Sequence, residues 1–278
     1  MTNASSMAQA LACQRRVAVQ WVAAGILLPT WAGGAQAQMA LSGAINHAGW
    51  FRALSQRMAK AYCQQYLQVL PEAARDVLGH ARTRVQQGSG ELARGLQSGQ
   101  WPAEVARQLD EVQKQFALLD QLTAAPTSRA AVAAVSEQSD RTLLVAQAVT
   151  ESIEKMARVA SARLVNLAGR QRMLSQRLAK NYFLVAAKAD TKLVHAQLAA
   201  DAADFRQAMQ TLTAAPVSTP AIRGELELAA PQWVFFEAAL RRPADEQGLS
   251  VVATTSERLL SVMDRLTGLY EAALREVL

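Results

Sequence analysis

Residues 45–64 read INHAGWFRALSQRMAKAYCQ, and residues 165–184 read VNLAGRQRMLSQRLAKNYFL. The stretches lie 120 residues apart, share 11 of 20 positions, and divide the 278-residue chain into two units of ordinary domain size. At about 100° per residue each copy becomes a helix with two distinct faces. Phe51, Leu54, Met58 and Tyr62 form an apolar stripe. Beside it lie Ala48, Gly49, Arg52, Ser55, Gln56 and Ala59, identical in the second copy as Ala168, Gly169, Arg172, Ser175, Gln176 and Ala179. The stripe itself is kept less well: Phe51 is matched by Gln171 and Met58 by Leu178. Small residues suit a close helix contact, yet this face carries a long cation at its centre, and neither copy contains an Asp or Glu. Burying a guanidinium without a counter-charge is costly. The pattern therefore points to an anion from outside the chain, held by the planar fork of Arg52, Arg172 or both.

The remaining motif residues have lesser expected parts. Arg57 and Arg177 fall on the other flank of the stripe, too far round the helix to share a small ligand with Arg52 and Arg172, and are expected to orient the helix or meet an acid such as Asp140 or Glu257. Lys60 and Lys180 are placed at the polar margin. Against the anion reading stands a plainer one, in which the arginines lie in water with their stems over apolar neighbours.

Half the residues are apolar, only 5% are aromatic, and long stretches lack Gly and Pro, the profile of an all-α protein. Arg15 and Arg16 precede the apolar segment 17–32 and the small-residue sequence Gly33-Gly34-Ala35-Gln36-Ala37, so residues 1–37 read as a cleaved export signal of the Sec or twin-arginine route. An uncleaved anchor is the alternative, although about 16 apolar residues are short for a bilayer. With the leader removed, the formal charge falls from +6 to +4 and only Cys63 of the two cysteines remains, so no intrachain disulfide is available. No second stretch is apolar enough to span a membrane, no basic run suggests nucleic acid, and a periplasmic location is expected.

Proline, glycine and apolar spacing predict a helix from Ser42 to Leu70, another from Glu72 to a break at Gly88-Ser89-Gly90, and a third from Ala103 to Leu122. Between Ser128 and Lys188 there is no proline and one glycine, so a shared helix of about 90 Å is expected to join the units. Helices follow over 191–212, 221–240, with Pro231 kinking or dividing it, and 244 to the C-terminus. LTAAP occurs at 122–126 and again at 212–216, which reads as an equivalent turn with an insertion near 72–100 in the first unit. Residues 139–154 align with 256–271 without gaps. The expected fold is two tandem antiparallel four-helix bundles joined by the long helix, with units at 38–160 and 161–278.

The pattern N-x-A-G-x-x-R-x-L-S-Q-R-x-A-K resembles the P-box helix of the periplasmic sensor domain shared by NarX-type nitrate/nitrite sensor kinases and PilJ-type pilus chemotaxis transducers. The resemblance covers both copies and, through their flanking helices, most of the chain beyond the leader. Asn166, Ala168, Gly169, Arg172, Met173, Ser175, Arg177 and Leu178 fit it, whereas the first copy departs at Trp50-Phe51 and Ala53. It implies a four-helix sensor bundle in which paired P-box helices hold the anion, with the first motif arginine as main contact. Carried over, that contact is Arg52 and Arg172, helped by Ser55, Ser175, Gly49 and Gly169, with Arg57, Arg177, Asn46 and Asn166 secondary and the second copy favoured. Both motif helices in one chain imply either an internal pairing or, if the long helix separates them, a partner from another chain, as in a homodimer.

Two functions compete. One is an exported sensory module binding a small oxyanion such as nitrate or nitrite and passing its signal to a membrane-bound sensor or transducer, since the final helix runs to the end of this sequence without a signalling module. The other is a non-catalytic adaptor or structural helical protein whose small-residue faces dock a partner sensor. An enzyme is not expected: His47, His80 and His195 are scattered, and no metal, haem, nucleophile or phosphate-loop motif occurs. No cofactor or metal is expected.

Overall fold

A computed structural model describes residues 32–97, 101–189, 191–217 and 219–277. Most of the expected leader lies outside the described residues. Eight helices follow in order: α1 Ala32–Tyr66, α2 Pro71–Gln97, α3 Ala103–Thr123, α4 Arg129–Ala157, α5 Ala160–Ala186, α6 Lys192–Thr213, α7 Pro220–Leu240 and α8 Glu246–Val277. Among the described residues there is no strand. The two motif helices, α1 and α5, form the centre and pack on each other. α2 and α4 cover α1, α6 and α8 cover α5, and α3 and α7 complete the outer walls.

The single long helix expected between residues 128 and 188 does not form. α4 ends at Ala157, Arg158 takes a left-handed φ of 52°, and α5 starts two residues later. The chain reverses there: Asn166 reaches Glu154 near the turn, and Lys180 reaches Asp140 further from it. No glycine or proline marks this reversal. It is stabilised instead by burial of the whole small-residue face of α5 against α1, which a straight continuation of α4 would leave in water.

Three smaller expectations also change. α2 runs through Gly88-Ser89-Gly90 without a break. A Cβ at Gly88 would come within 3.3 Å of the Phe51 ring, so this glycine serves close packing. α7 likewise continues through Pro231. Finally, the LTAAP turns are not equivalent, since one follows α3 and the other follows α6. The Tyr62 hydroxyl donates to the carbonyls of Ala125 and Pro126 at 3.1 and 3.0 Å. Its counterpart Tyr182 donates to those of Arg242 and Pro243 at 3.1 and 2.9 Å. The turn before α4 thus corresponds to the turn before α8, and no insertion over 72–100 is needed. Tyr182→Phe is expected to cost about 1 kcal/mol in urea denaturation, the usual worth of such a bond.

The apolar stripe behaves as read: Phe51, Leu54, Met58 and Tyr62 are buried. Phe51 meets Phe116 of α3 at 5.7 Å between centroids, and in the other half Phe205 of α6 stacks on Trp233 of α7 at 4.1 Å. Lys60 and Lys180 are not at a polar margin. Both are buried, because α8 and α4 cross over them. Lys60 donates to Ser256 Oγ at 3.1 Å and Glu257 Oε1 at 2.5 Å, and Lys180 to Ser139 Oγ at 3.4 Å and Asp140 Oδ1 at 2.6 Å. Each lysine therefore ties its motif helix to the other half of the chain.

Candidate functional site

Where α1 meets α5, Gly49 and Gly169 face the same pair of guanidiniums. A Cβ at Gly49 would lie 3.2 Å from Nη2 of Arg52 and 3.3 Å from Nη2 of Arg172. At Gly169 the corresponding distances are 3.5 and 3.1 Å. The glycines leave the space that lets two cations on neighbouring helices come this close.

Each arginine reaches across to the other helix. Arg52 Nη2 donates to the Asn166 carbonyl and Arg172 Nη2 to the Asn46 carbonyl, both at 3.3 Å. The asparagine side chains turn away, Asn46 donating to Glu271 at 2.6 Å and Asn166 to Glu154. Ser55 and Ser175 do not point at the guanidiniums. Their hydroxyls donate back to the carbonyls of Arg52 and Arg172, while Gln56 and Gln176 donate to the carbonyls of Ser139 and Ser256 at 3.0 Å. Arg57 pairs with Glu257 at 2.6 Å and Arg177 with Asp201 of α6, so neither reaches the centre.

The two arginines differ in one partner. Arg172 Nη1 donates to the Asp264 carboxylate at 2.7 Å, whereas Arg52 Nη1 donates, also at 2.7 Å, to the carboxamide oxygen of Gln147. Gln147 and Asp264 occupy the same place in the aligned stretches 139–154 and 256–271. Sequence reasoning missed this pair, although that alignment held the signal. Both arginines are buried with Nε unpartnered. Burial, then the neighbouring Arg172 and Arg170, push the Arg52 guanidinium down to about 9, with Glu151 and Glu154 opposing. Burial lowers Arg172 to about 10, with Asp264 opposing. Both remain cations at neutral pH.

The surroundings differ as well. Above Arg172 sits Trp50, its ring centroid 4.5 Å from that guanidinium carbon and 3.8 Å from that of Arg84, a cation–π arrangement. Arg84 also lies 3.8 Å from Asp264. On the Arg52 side, where Arg170 replaces Trp50, a cavity of about 610 Å³ opens between α4 and α5, lined by Arg52, Gln147, Glu151, Glu154, Arg163 and Arg170 among others.

Residues 157–264 match the PilJ family. Its description is the N-terminal domain of type IV pili methyl-accepting chemotaxis transducers, a sensory family. The PilJ segment spans α5, α6, α7 and the first part of α8, and includes Arg172 and Asp264. The first copy, with Arg52 and Gln147, lies outside the match. No curated protein and no solved structure matches the chain. Among the described residues, no helix is long and apolar enough to cross a membrane, and no cluster of His, Cys, Asp and Glu could hold a metal ion.

Proposed function

We propose that this protein is a periplasmic sensory module that binds a small anion, nitrate or nitrite among the candidates, at Arg52 and relays its presence to a membrane-bound transducer. The PilJ match over residues 157–264 supports the sensory role. The contrast between Gln147 and Asp264 supports the anion. At two equivalent positions Arg172 donates to a carboxylate, while Arg52 donates to a neutral oxygen beside an open cavity. An incoming oxyanion can replace that oxygen on Nη1 as a charge-assisted acceptor. The site preference thus moves from the second copy to the first. Arg172, already neutralised, holds the crossing together.

Titration calorimetry with nitrate, nitrite and other oxyanions tests the reading. Wild type is expected to bind one of them, and Arg52→Gln to weaken binding about 10- to 100-fold, the worth of a charged hydrogen-bond pair. No heat with any anion overturns it. The docking alternative cannot use the small-residue faces, which are buried against each other, and draws instead on Leu228 and Phe235, exposed on one side of α7. Anion-independent capture of a transducer domain, lost in Phe235→Lys, favours that alternative.

A further inference from the structure

The cavity beside Arg52 has room for more than one inorganic ion. At about 610 Å³ it falls in the range of small-molecule sites and far exceeds what an anion the size of nitrate fills. Its charges are also peculiar to this side of the molecule. Glu151 and Lys155 on α4 stand where α8 has Gly268 and Ala272, and Arg163 and Arg170 on α5 stand where α1 has Gly43 and Trp50. Among these positions only Glu154 has a charged equivalent, Glu271, and each is held by its asparagine.

The charges follow one another along α4, where Gln147, Glu151 and Lys155 stand on successive turns. Arg52 lies innermost, fully buried, with one N–H unpartnered. One side chain outward, Gln147 Nε2 donates to Glu151 at 2.5 Å, so a carboxylate follows directly on the guanidinium. Arg170 is held by Asp204 at 2.7 Å, which leaves Lys155 and the exposed Arg163 to set the sign of the outer lining. From Arg52 toward the α4–α5 turn, the lining thus carries a buried cation, two carboxylates and two exposed cations.

We propose that this cavity holds a small organic zwitterion of the acidic amino-acid class. One carboxylate replaces the Gln147 oxygen on Arg52, the ammonium lies at Glu151 and Glu154, and the second carboxylate faces Arg163 and Lys155. This inference rests on Arg52 as the anion contact and names the ligand class. A simple dicarboxylate would set acid against Glu151 and Glu154, and a diamine would set a second cation against Arg52.

Titration calorimetry on the full chain with L-glutamate, L-aspartate, succinate, putrescine and nitrate tests it. L-glutamate or L-aspartate is expected to bind at least about tenfold more tightly than succinate, and putrescine to give no heat. Glu151→Gln keeps an acceptor for Gln147 and is expected to weaken the amino acid about tenfold without weakening nitrate, from whose site it removes a like charge. Nitrate binding with no response to either amino acid overturns this inference and leaves the Arg52 reading standing. Silence of every probe overturns both. Amino-acid affinity unaltered by Glu151→Gln overturns the assignment of the ammonium.

Discussion

Glu257→Ala is expected to lower the unfolding free energy by about 3 kcal/mol, the range for breaking a buried ion pair reduced for the partial exposure of the carboxylate. Glu257 accepts from Lys60 at 2.5 Å and Arg57 at 2.6 Å, and the Lys60 side chain has no exposed surface. Removing the carboxylate strands an ammonium that α8 shields from water. Urea denaturation at neutral pH provides the measurement, with Glu257→Gln separating charge from hydrogen bonding. A pH series adds a second check. Burial pushes this carboxyl upward, but Lys60 and Arg57 together outweigh it and bring it to about 2 from an ordinary 4.5. The depressed folded value means that the contribution is complete above about pH 4.5 and is lost as pH falls toward 2. The wild-type and Glu257→Gln stability curves should therefore converge over that interval. Parallel curves there would show that the clamp carries no net stability.

Gln147→Asp is expected to abolish anion binding at Arg52, a loss of roughly 100-fold or more once a fixed carboxylate competes for the same N–H groups. The substitution copies into the first half what Asp264 already does in the second, 2.7 Å from its arginine. It should also raise thermal stability without ligand, since a buried cation gains a counter-charge. Calorimetry and thermal unfolding read the two effects separately. Wild-type affinity in Gln147→Asp would exclude this corner as the anion contact. Lower stability combined with lost binding would mean that Glu151, already bonded to Gln147, supplies the needed charge.

The helices were legible wherever a local signal coincided with a tertiary boundary. Pro102 before α3 and Ala244-Asp245-Glu246 at the start of α8 are such places. The reversal at Arg158 was not legible, because a non-glycine residue adopts the left-handed conformation under the pull of the α1–α5 contact. Gly88 misled in the opposite direction, since its missing side chain makes room for Phe51 inside a continuous helix. Helical projection located the face that carries Arg52 and Arg172. It misplaced Lys60 and Lys180, because a wheel contains only its own helix, and the partners that cover them lie on other helices, 196 and 197 residues away for Lys60 and 41 and 40 residues away for Lys180. Trp50 entered as a departure from the motif and emerged as the residue packed over Arg172, a position that only the placement of α2 and Arg84 explains.

The crossing at Gly49 and Gly169 has a consequence for heredity and stoichiometry. Around the axis of a symmetric homodimer, a codon change appears on both sides at once, so every improvement to one face is imposed on its twin. Here the residues on either side of the crossing are encoded separately, and Gln147 can drift while Asp264 stays. One side is free to become a permanent fastener with a carboxylate on its arginine, and the other to keep a neutral oxygen there. The proposed function therefore predicts one ligand per chain, rather than two, in a calorimetric titration.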